Sequence, residues 1–414
     1  MKDKLKNIGK GTFDSLSVRN FRLYFIGQAV SLCGTWMQTI GQAWLVLQMT
    51  GSGTELGLVV ACQFVPVLFL GPWGGLIADR FAKRKILYFT QSVSAVLALL
   101  LGVLVLTHVA TLWMVYVLAF ASGLVNVLDN PARQTFIMEL VGKEKITNAV
   151  SLTSVQVNLA RVIGPALGGI FIASLGLAPL FILNGLSFLA VIYALFLMDE
   201  KLFSKTPPVE KIDGQIKAGL KYVRSNHVLF DTLIMMSIIG TLTYEFTVSL
   251  PLMAEFAFHG NAETYALLTV AMGAGSVFGG LYTANIKKMS QKKLAASALF
   301  FGLSVLLAAV MPNLPLEITA LIIVGFFSII FLSGGNVVLQ LESSPTMRGR
   351  VMSLWAVAFL GSTPIGGPVI GWVGEYFGSR FTLVLGGIAA IMAAYMGVRS
   401  IKKRNPSSTK VLPS

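Results

Sequence analysis

Long apolar runs limit what this chain can fold into more than any of its motifs does. A helix crosses ~30 Å of hydrocarbon with about 20 apolar residues and few charges. Charged residues make up only 12% of the chain, whereas soluble domains carry about 25%. Apolar runs of sufficient length lie at approximately 20–48, 55–78, 86–106, 111–131, 148–174, 177–198, 228–256, 264–284, 293–311, 315–340, 351–374 and 381–399. Because these runs are continuous and do not alternate in polarity, they predict an all-α membrane protein with twelve transmembrane helices, not a β-barrel.

The positive charge of the chain follows this topology. A net charge of +14 would by itself suit a nucleic-acid-binding protein. However, 30 of the 32 Lys and Arg residues fall on one side of the membrane if the N-terminus is cytoplasmic, the exceptions being Arg161 and Arg380. The positive-inside rule then predicts a multi-pass protein of the cell inner (plasma) membrane with both termini cytoplasmic. The expected partner of this charge is the lipid bilayer, not nucleic acid.

The longest polar connection, residues 199–227, separates the first six runs from the last six. We therefore expect an N-terminal six-helix half at 1–198, a cytoplasmic linker at 199–227, a C-terminal six-helix half at 228–400 and a cytoplasmic tail at 401–414. Such a division is typical of transporters, whose binding site lies between two repeated halves.

Glycines in the fifth and eleventh runs support a repeat, because three pairs share a constant offset of 202. The pairs are Gly164 and Gly366, Gly169 and Gly371, and Gly176 and Gly378. The cluster "GPALGG" holds Gly164, Pro165, Gly168 and Gly169, and "GAGSVFGG" at 273–280 offers a second surface of small residues. We expect these two clusters to pack closely, either against each other or as ordinary small-residue helix contacts.

Polar side chains recur at helical spacing within several runs, which places them on one helix face. Hydrogen bonding between helices would explain single serines and threonines. A stripe with three glutamines in the first run favours the alternative, a central water-filled cavity for substrate. The candidate cavity residues are Gln28, Thr35, Gln38, Gln42, Asn126, Asn158, Arg161, Tyr244, Glu245, Asn336 and Gln340.

Two charges lie deep within runs, Arg161 in the fifth and Glu245 in the seventh. Each costs at least ~2.5 kcal/mol on insertion scales unless it is paired or hydrated. Glu245 is a candidate for proton coupling, because burial favours the neutral carboxyl and a nearby cation or water reverses that preference. Arg161 is a candidate for binding an anionic group or neutralising a carboxylate. A structural ion pair or a solvated cavity wall remains the alternative for both residues.

Catalytic chemistry finds no support in the sequence. His108, His227 and His259 do not stand at metal-ligand spacing, and there is no G-x-x-x-x-G-K-[ST] phosphate loop. Cys33 and Cys62 form no C-x-x-C motif. We therefore expect no catalytic residues, no metal and no cofactor. A membrane-embedded enzyme is the less favoured alternative to a transporter, since it would need a nucleophile with its base, or a metal site.

The stretch "GGLIADRFAKRK" at 74–85 resembles motif A of the major facilitator superfamily, although Ala82 stands at a usual glycine. "GPALGG" resembles the end of motif C, a mark of proton-coupled drug exporters in that superfamily. The segments 20–57 and "DNPARQTF" at 129–136 look like the branch that contains enterobactin exporters and macrolide-efflux proteins. The resemblance covers nearly the whole chain.

This resemblance implies the major facilitator fold and a secondary active exporter. Such a protein would move small amphiphilic organic molecules of drug or siderophore type out of the cytoplasm, by proton antiport with alternating access. Its partners would be the small-molecule substrate and protons, and we expect a monomer. An importer or a lipid flippase on the same fold remains the alternative.

The resemblance also implies a cytoplasmic latch. The motif A acid, here Asp79, would meet the N-terminal end of helix eleven, and Lys83 would meet an acid on helix four, here Asp129. Asp129 is thereby a second proton-coupling candidate beside Glu245. Ala284 stands where Asp79 would fall in the second half, so the latch would be one-sided. The predicted gating residues are Gly75, Asp79, Arg80, Lys83, Arg84, Asp129 and Arg133.

Overall fold

The computed structural model of the protein describes residues 13–204, 215–284, 289–344, 347–359 and 361–404, and every regular element in these ranges is helical. Short 3₁₀ turns lie at Asp14–Ser17 and Glu200–Leu202, and a π turn lies at Met253–Ala257. The α-helices are α1 (Arg19–Thr50), α2 (Gly53–Arg80), α3 (Lys83–Leu106), α4 (Leu112–Leu175), α5 (Leu177–Leu197), α6 (Gln215–Ser225), α7 (His227–Leu242), α8 (Phe246–Leu252), α9 (Ala262–Ala284), α10 (Gln291–Ala309), α11 (Leu314–Glu342), α12 (Arg348–Phe359), α13 (Thr363–Tyr376) and α14 (Ser379–Arg404).

Ten helical segments in the described ranges are long and apolar enough to cross a membrane. The 64-residue helix α4 covers both the fourth and the fifth predicted runs, and its backbone is non-helical at Gly142, where φ is 70°. Glycine reaches this conformation without the steric cost that a side chain would add. Helix α1 is not among the ten, although it has 32 residues, and it carries the polar stripe of the first run. The count of twelve spans stays a prediction.

The chain forms two compact units, described here separately. Unit 1 comprises Met1–Thr50, Cys62–Lys211 and Ala262–Val270, and unit 2 comprises Gly51–Ala61, Ile212–Asn261 and Ala271–Ser414. In unit 1, α1 packs on α4 and α5, and α3 packs on α5. In unit 2, α10 packs on α11 and α14, and α7 contacts α11 to α14. The predicted boundaries of the two six-helix halves stay a prediction.

Glycines allow helix backbones to touch in both units. In unit 1, a Cβ at Gly74 of α2 would lie 1.9 Å from the carbonyl oxygen of Val127 on α4. In unit 2, a Cβ at Gly275 of α9 would lie 1.9 Å from the carbonyl oxygen of Ile322 on α11. Each contact is possible only without a side chain, as in other close helix pairs in membranes.

The two predicted glycine clusters have close neighbours within each unit. Gly164 faces Trp36 of α1, where an added Cβ would lie 2.5 Å from the tryptophan Cβ, and Gly169 similarly faces Ala266 of α9 at 2.7 Å. Gly275 and Gly279 serve the contact of α9 with α11, whereas a Cβ added at Gly280 would meet nothing within 4 Å. Pro165 and Gly168 are also buried. The contacts within each unit are ordinary small-residue helix contacts, and the packing of the two clusters against each other stays a prediction.

Motif A offers a matched pair of neighbouring glycines for a stability test. Gly74 is closed in by Val127, whereas an added Cβ at Gly75 would meet nothing within 4 Å. We expect Gly74→Ala to lower the free energy of unfolding by about 1–3 kcal/mol through overpacking, and Gly75→Ala to change it by less than about 0.5 kcal/mol. Thermal unfolding in detergent measures both. Equal effects of the two substitutions would contradict the packing described here.

Candidate functional site

The seventh predicted run is broken in unit 2. Helix α7 ends at Leu242 and α8 begins at Phe246, and the three residues between them hold different neighbours. The hydroxyl of Thr243 donates to the carbonyl oxygen of Gly386 on α14 at 2.8 Å. The hydroxyl of Tyr244 donates to the carbonyl oxygen of Ser328 on α11 at 2.5 Å. Both bonds fix the break in place, as occurs in the discontinuous helices of transporters.

Glu245, the third residue of the break, is almost wholly buried, with 2% of its surface exposed. The hydroxyl of Thr363, the first residue of α13, hydrogen-bonds to its carboxylate. Its Oε1 atom has no hydrogen-bond partner in the described structure, and the ion pairs Lys83–Glu139, Arg84–Glu200, Arg133–Asp129 and Lys145–Asp14 do not involve it. A buried carboxyl with so few partners is unusual, because unpaired buried charge is costly.

The space beside Glu245 is created by a glycine on a second broken helix. Helix α12 ends at Phe359 and α13 begins at Thr363. A Cβ added at Gly366 of α13 would lie 2.8 Å from Oε1 of Glu245 and 1.9 Å from the carbonyl oxygen of Thr241. Two helix breaks and one glycine therefore bring the carboxyl of Glu245 against the start of α13.

Aromatic rings surround Tyr244 on the same break. Its ring centroid lies 4.9 Å from that of Phe359 and 5.4 Å from that of Phe301. The ring of Trp355 stacks on Phe359 with centroids 5.9 Å apart. Tyr244 and Trp355 are half-buried, so an apolar, partly accessible surface belongs to the same part of unit 2 as Glu245.

Unit 1 contains a buried polar network centred on Asp129 of α4, which is 3% exposed. Its Oδ1 accepts hydrogen bonds from the hydroxyl of Thr90 at 2.7 Å and from Nε2 of Gln91 at 2.8 Å, both on α3. Its Oδ2 accepts from Arg133, one turn further along α4. Arg133 also donates to the side-chain oxygen of Gln28 on α1. The network ties α1, α3 and α4 together with both carboxylate oxygens satisfied.

The predicted pairing of Lys83 with Asp129 is wrong. Nζ of Lys83 lies 3.0 Å from Glu139, which stands ten residues further along α4. Asp129 has Arg133 as its cation instead, because Arg133 stands one helical turn away and shares its buried environment. The acid that Lys83 meets is thus on the expected helix but is a different residue.

The other motif A residues have separate surroundings. Arg84 donates to the carbonyl oxygen of Leu195 near the end of α5, at 2.6 Å and 3.0 Å, and pairs with Glu200 at 2.5 Å. A cation is stabilised at the C-terminal end of a helix, so Arg84 holds α5 to α3. Arg80 is exposed. The side chain of Asp79 lies outside the described part of the structure.

The candidate cavity residues differ in exposure. Gln28 and Glu245 are buried, at 3% and 2% exposure. Thr35 and Gln340 are exposed, and the remaining seven are half-buried: Gln38, Gln42, Asn126, Asn158, Arg161, Tyr244 and Asn336. Gln38 accepts a hydrogen bond from Asn184 of α5 at 2.6 Å. Gln28 and Gln38 thus form hydrogen bonds between helices, which is the alternative explanation of the polar stripe. Their role in a substrate cavity stays a prediction.

Arg161 of α4 lies over the ring of Trp36 on α1, with its guanidinium carbon 5.3 Å from the ring centroid. Stacking of this kind stabilises a cation in a partly desolvated setting. Gly164, one turn along α4, permits the approach because its missing side chain leaves room for Trp36. The deep positive charge of unit 1 is therefore held by an aromatic face.

Several residues of these sites are absent from the sequence-based candidates. They are Thr90, Gln91, Glu139, Glu200 and Thr363. Each makes its contact with a residue on another helix, so spacing along its own helix gives no sign of it. The described residues contain no cluster of three or more His, Cys, Asp or Glu able to hold a metal ion.

Several bacterial transport proteins are similar in sequence to most of the chain. The staphyloferrin A transporter of Staphylococcus aureus is 25% identical over 92% of this chain and 97% of its own length. The enterobactin exporter EntS of Shigella flexneri is 23% identical over 86% of this chain and 85% of its own. Macrolide efflux protein A of Streptococcus pyogenes is 22% identical over 84% and 87%. The predicted resemblance to enterobactin exporters and macrolide-efflux proteins is confirmed.

Solved transporter structures share the fold. A bacterial homologue of the human lysosomal transporter Spinster, in an inward-facing and unoccupied conformation, superposes with a TM-score of 0.74 at 13% identity, covering 95% of this chain and 98% of that one. The nucleoside transporter NupG gives a TM-score of 0.71 at 14% identity, covering 92% and 99%. A family model described as "transmembrane secretion effector" (MFS_3) matches residues 10–411. The protein therefore belongs to the transmembrane secretion effector family of the major facilitator superfamily.

Proposed function

We propose that this multi-pass membrane protein is a proton-coupled secondary exporter. It moves small amphiphilic organic molecules, of siderophore or drug type, out of the cytoplasm by alternating access. Both termini are cytoplasmic, in the inner (plasma) membrane, and the protein works as a monomer. Family membership and exporters among the relatives support transport and efflux. Coupling to protons is supported above all by the buried carboxyl of Glu245 at the helix break.

Glu245 suits proton coupling because its surroundings change with the geometry of two broken helices. Its partner Thr363 belongs to α13, whereas Glu245 itself is fixed to the end of α7. A shift of α13 against α7 would alter both the hydrogen bond and the space at Gly366. A carboxyl whose environment alternates can take up a proton in one state and release it in the other. Asp129 is less suited, because both of its oxygens are held by three residues.

A substrate panel tests the proposal. The protein would be produced in a bacterial host lacking its own efflux pumps, and everted membrane vesicles would be offered a macrolide, a catecholate siderophore and a carboxylate siderophore. The proposal predicts uptake of at least one compound that requires an imposed pH gradient. Full uptake after collapse of the gradient would exclude proton coupling, and transport only in the opposite direction would favour the importer. Movement of labelled phospholipid in place of these compounds would favour a flippase.

The charge at Arg161 gives a prediction about substrate class. We expect Arg161→Gln to raise the KM for an anionic substrate by roughly tenfold or more, as for a lost charged hydrogen bond, and to leave a neutral analogue nearly unaffected. Arg161→Lys, which keeps the charge, is the matched control. Transport rates at varied substrate concentration in vesicles measure both. Equal losses for the anionic and the neutral substrate would assign Arg161 to packing with Trp36 alone.

A further inference from the structure

The first turn of α2 is bound by a carboxylate from α13 within unit 2. Oε2 of Glu375 accepts a hydrogen bond from the hydroxyl of Ser52 at 2.5 Å and one from the backbone N–H of Thr54 at 2.9 Å. The N–H groups of a first helical turn have no partner within the helix, and a negative charge is stabilised there by the helix dipole. Glu375 therefore acts as a helix cap supplied by another helix.

The two helices also touch through their backbones at this point. A Cβ at Gly53 would lie 2.6 Å from the carbonyl oxygen of Gly371, and one at Gly57 would lie 2.2 Å from that of Gly367. A Cβ at Gly371 would in turn lie 2.0 Å from the carbonyl oxygen of Gly53. Over one turn of α2, the two helices therefore meet through glycine backbones, without side chains of these glycines to interlock. The two hydrogen bonds to Glu375 add a directional and charge-dependent interaction to this contact between α2 and α13.

The surroundings of Glu375 make its charge responsive to the medium. The side chain is exposed, and it takes no part in the ion pairs formed by Lys83, Arg84, Arg133 and Lys145. Charged residues near the same ends of the neighbouring elements are Glu55 in the first turn of α2, Arg380 at the start of α14, and Glu255 in the π turn, which packs on α14. Arg380 donates to the carbonyl oxygens of Ala309 and Met311. The charge of Glu375 is therefore compensated mainly by the start of α2.

We propose that Glu375 is a proton-responsive residue of the transport cycle. As a carboxylate it holds the first turn of α2 against α13, and when protons bind from the medium on this face the hold is released. The neutral carboxyl loses its attraction to the helix dipole and accepts hydrogen bonds more weakly. This inference rests on the proposed proton-driven function, and under the proposed topology this face is the extracellular one, from which protons enter.

Amide hydrogen exchange of the full-length protein in lipid nanodiscs tests the proposal. Protection of residues 53–57 would be measured at about pH 7.5 and about pH 3, which bracket the ordinary titration of a glutamate at about 4.3, and corrected for the intrinsic exchange rate at each pH. For the wild type we expect protection to fall about fivefold at the lower pH, the usual effect of losing a helix cap. Glu375→Gln should show the lower protection already at pH 7.5 and little change with pH.

Two further variants keep the outcome decisive. Ser52→Ala removes the bond from Ser52 to Glu375, and also the hydroxyl oxygen that accepts from the N–H of Glu55 at 3.2 Å. It leaves the acid and its bond to Thr54 in place, so it should lower protection at both pH values while leaving a residual pH response. Glu263→Gln changes an exposed acid in the first turn of α9 and should behave as the wild type. Wild-type protection that does not change with pH, or Glu375→Gln protected like the wild type at pH 7.5, would overturn the proposal. Neither result depends on transport, so proton-driven export that persists beside them would leave the proposed function standing.

Discussion

Glu245→Gln is expected to reduce proton-driven transport by at least about tenfold, a typical size for a lost coupling between two ligands. Glutamine keeps the shape of the buried side chain and can still accept a bond from Thr363, but it cannot carry a proton at transport pH. Exchange of substrate for substrate across the membrane needs no net proton movement. The variant should therefore retain exchange close to the wild-type rate, and the two assays in the same proteoliposomes separate coupling from binding.

The control for this substitution is Glu263→Gln, which changes an exposed acid on α9 and should leave both assays unchanged. Thr363→Val is informative as a second variant, because it removes the hydroxyl whose hydrogen bond Glu245 accepts and preserves the size of the side chain. We expect gradient-driven transport to fall more than exchange in Thr363→Val, and Thr363→Ser to restore it. Equal loss of exchange and gradient-driven transport in Glu245→Gln would assign Glu245 to substrate binding or to the fold.

Asp129→Ala is expected to destabilise the protein by about 3–5 kcal/mol, because it breaks a buried ion pair and leaves an uncompensated cation. Arg133 would lose its only ion pair among the described residues, and Thr90 and Gln91 would lose their acceptor. The loss would be seen as a lower unfolding temperature in detergent and as less folded protein in the membrane. A structural role of this size exceeds that of exposed ion pairs such as Lys145 with Asp14.

A double substitution separates the ion pair from the space it fills. Asp129→Leu combined with Arg133→Met replaces both charges by apolar side chains of similar length, and such exchanges are often neutral. We expect the double variant to recover most of the stability that Asp129→Ala loses. If Asp129→Ala is as stable as the wild type, or if the double variant is less stable than Asp129→Ala, the network does not have the structural role given to it here.

The sequence was most informative about helices and least informative about their partners. Apolar runs located most of the helices because the hydrophobic requirement of a membrane span is set residue by residue along the chain. Glycines such as Gly74 could be recognised as packing sites from the sequence. Which residue each glycine packs against could not be predicted. Gly74 is closed in and Gly75 is open because only the first faces α4, and that follows from the rotation of α2.

Charged residues show the same limit. Lys83 was expected to pair with Asp129 on helix four, and it does pair with an acid of that helix, but the acid is Glu139. The choice depends on which turn of α4 lies beside α3, which residue spacing does not determine. Glu245 was found from the sequence because any buried acid in a span is conspicuous. Its partner Thr363 and the cap formed by Glu375 were not, since both contacts join residues more than a hundred positions apart.

Substrate-induced proton movement in proteoliposomes tests the central claim most directly. The purified protein would be reconstituted with a pH-sensitive dye in the lumen and no imposed gradient, and a compound selected from the substrate panel would be added outside. Proton antiport predicts that entry of the compound moves protons outward, so the lumen becomes alkaline, and that Glu245→Gln abolishes this signal. Uptake of the compound by the wild type with no change in luminal pH would contradict the account.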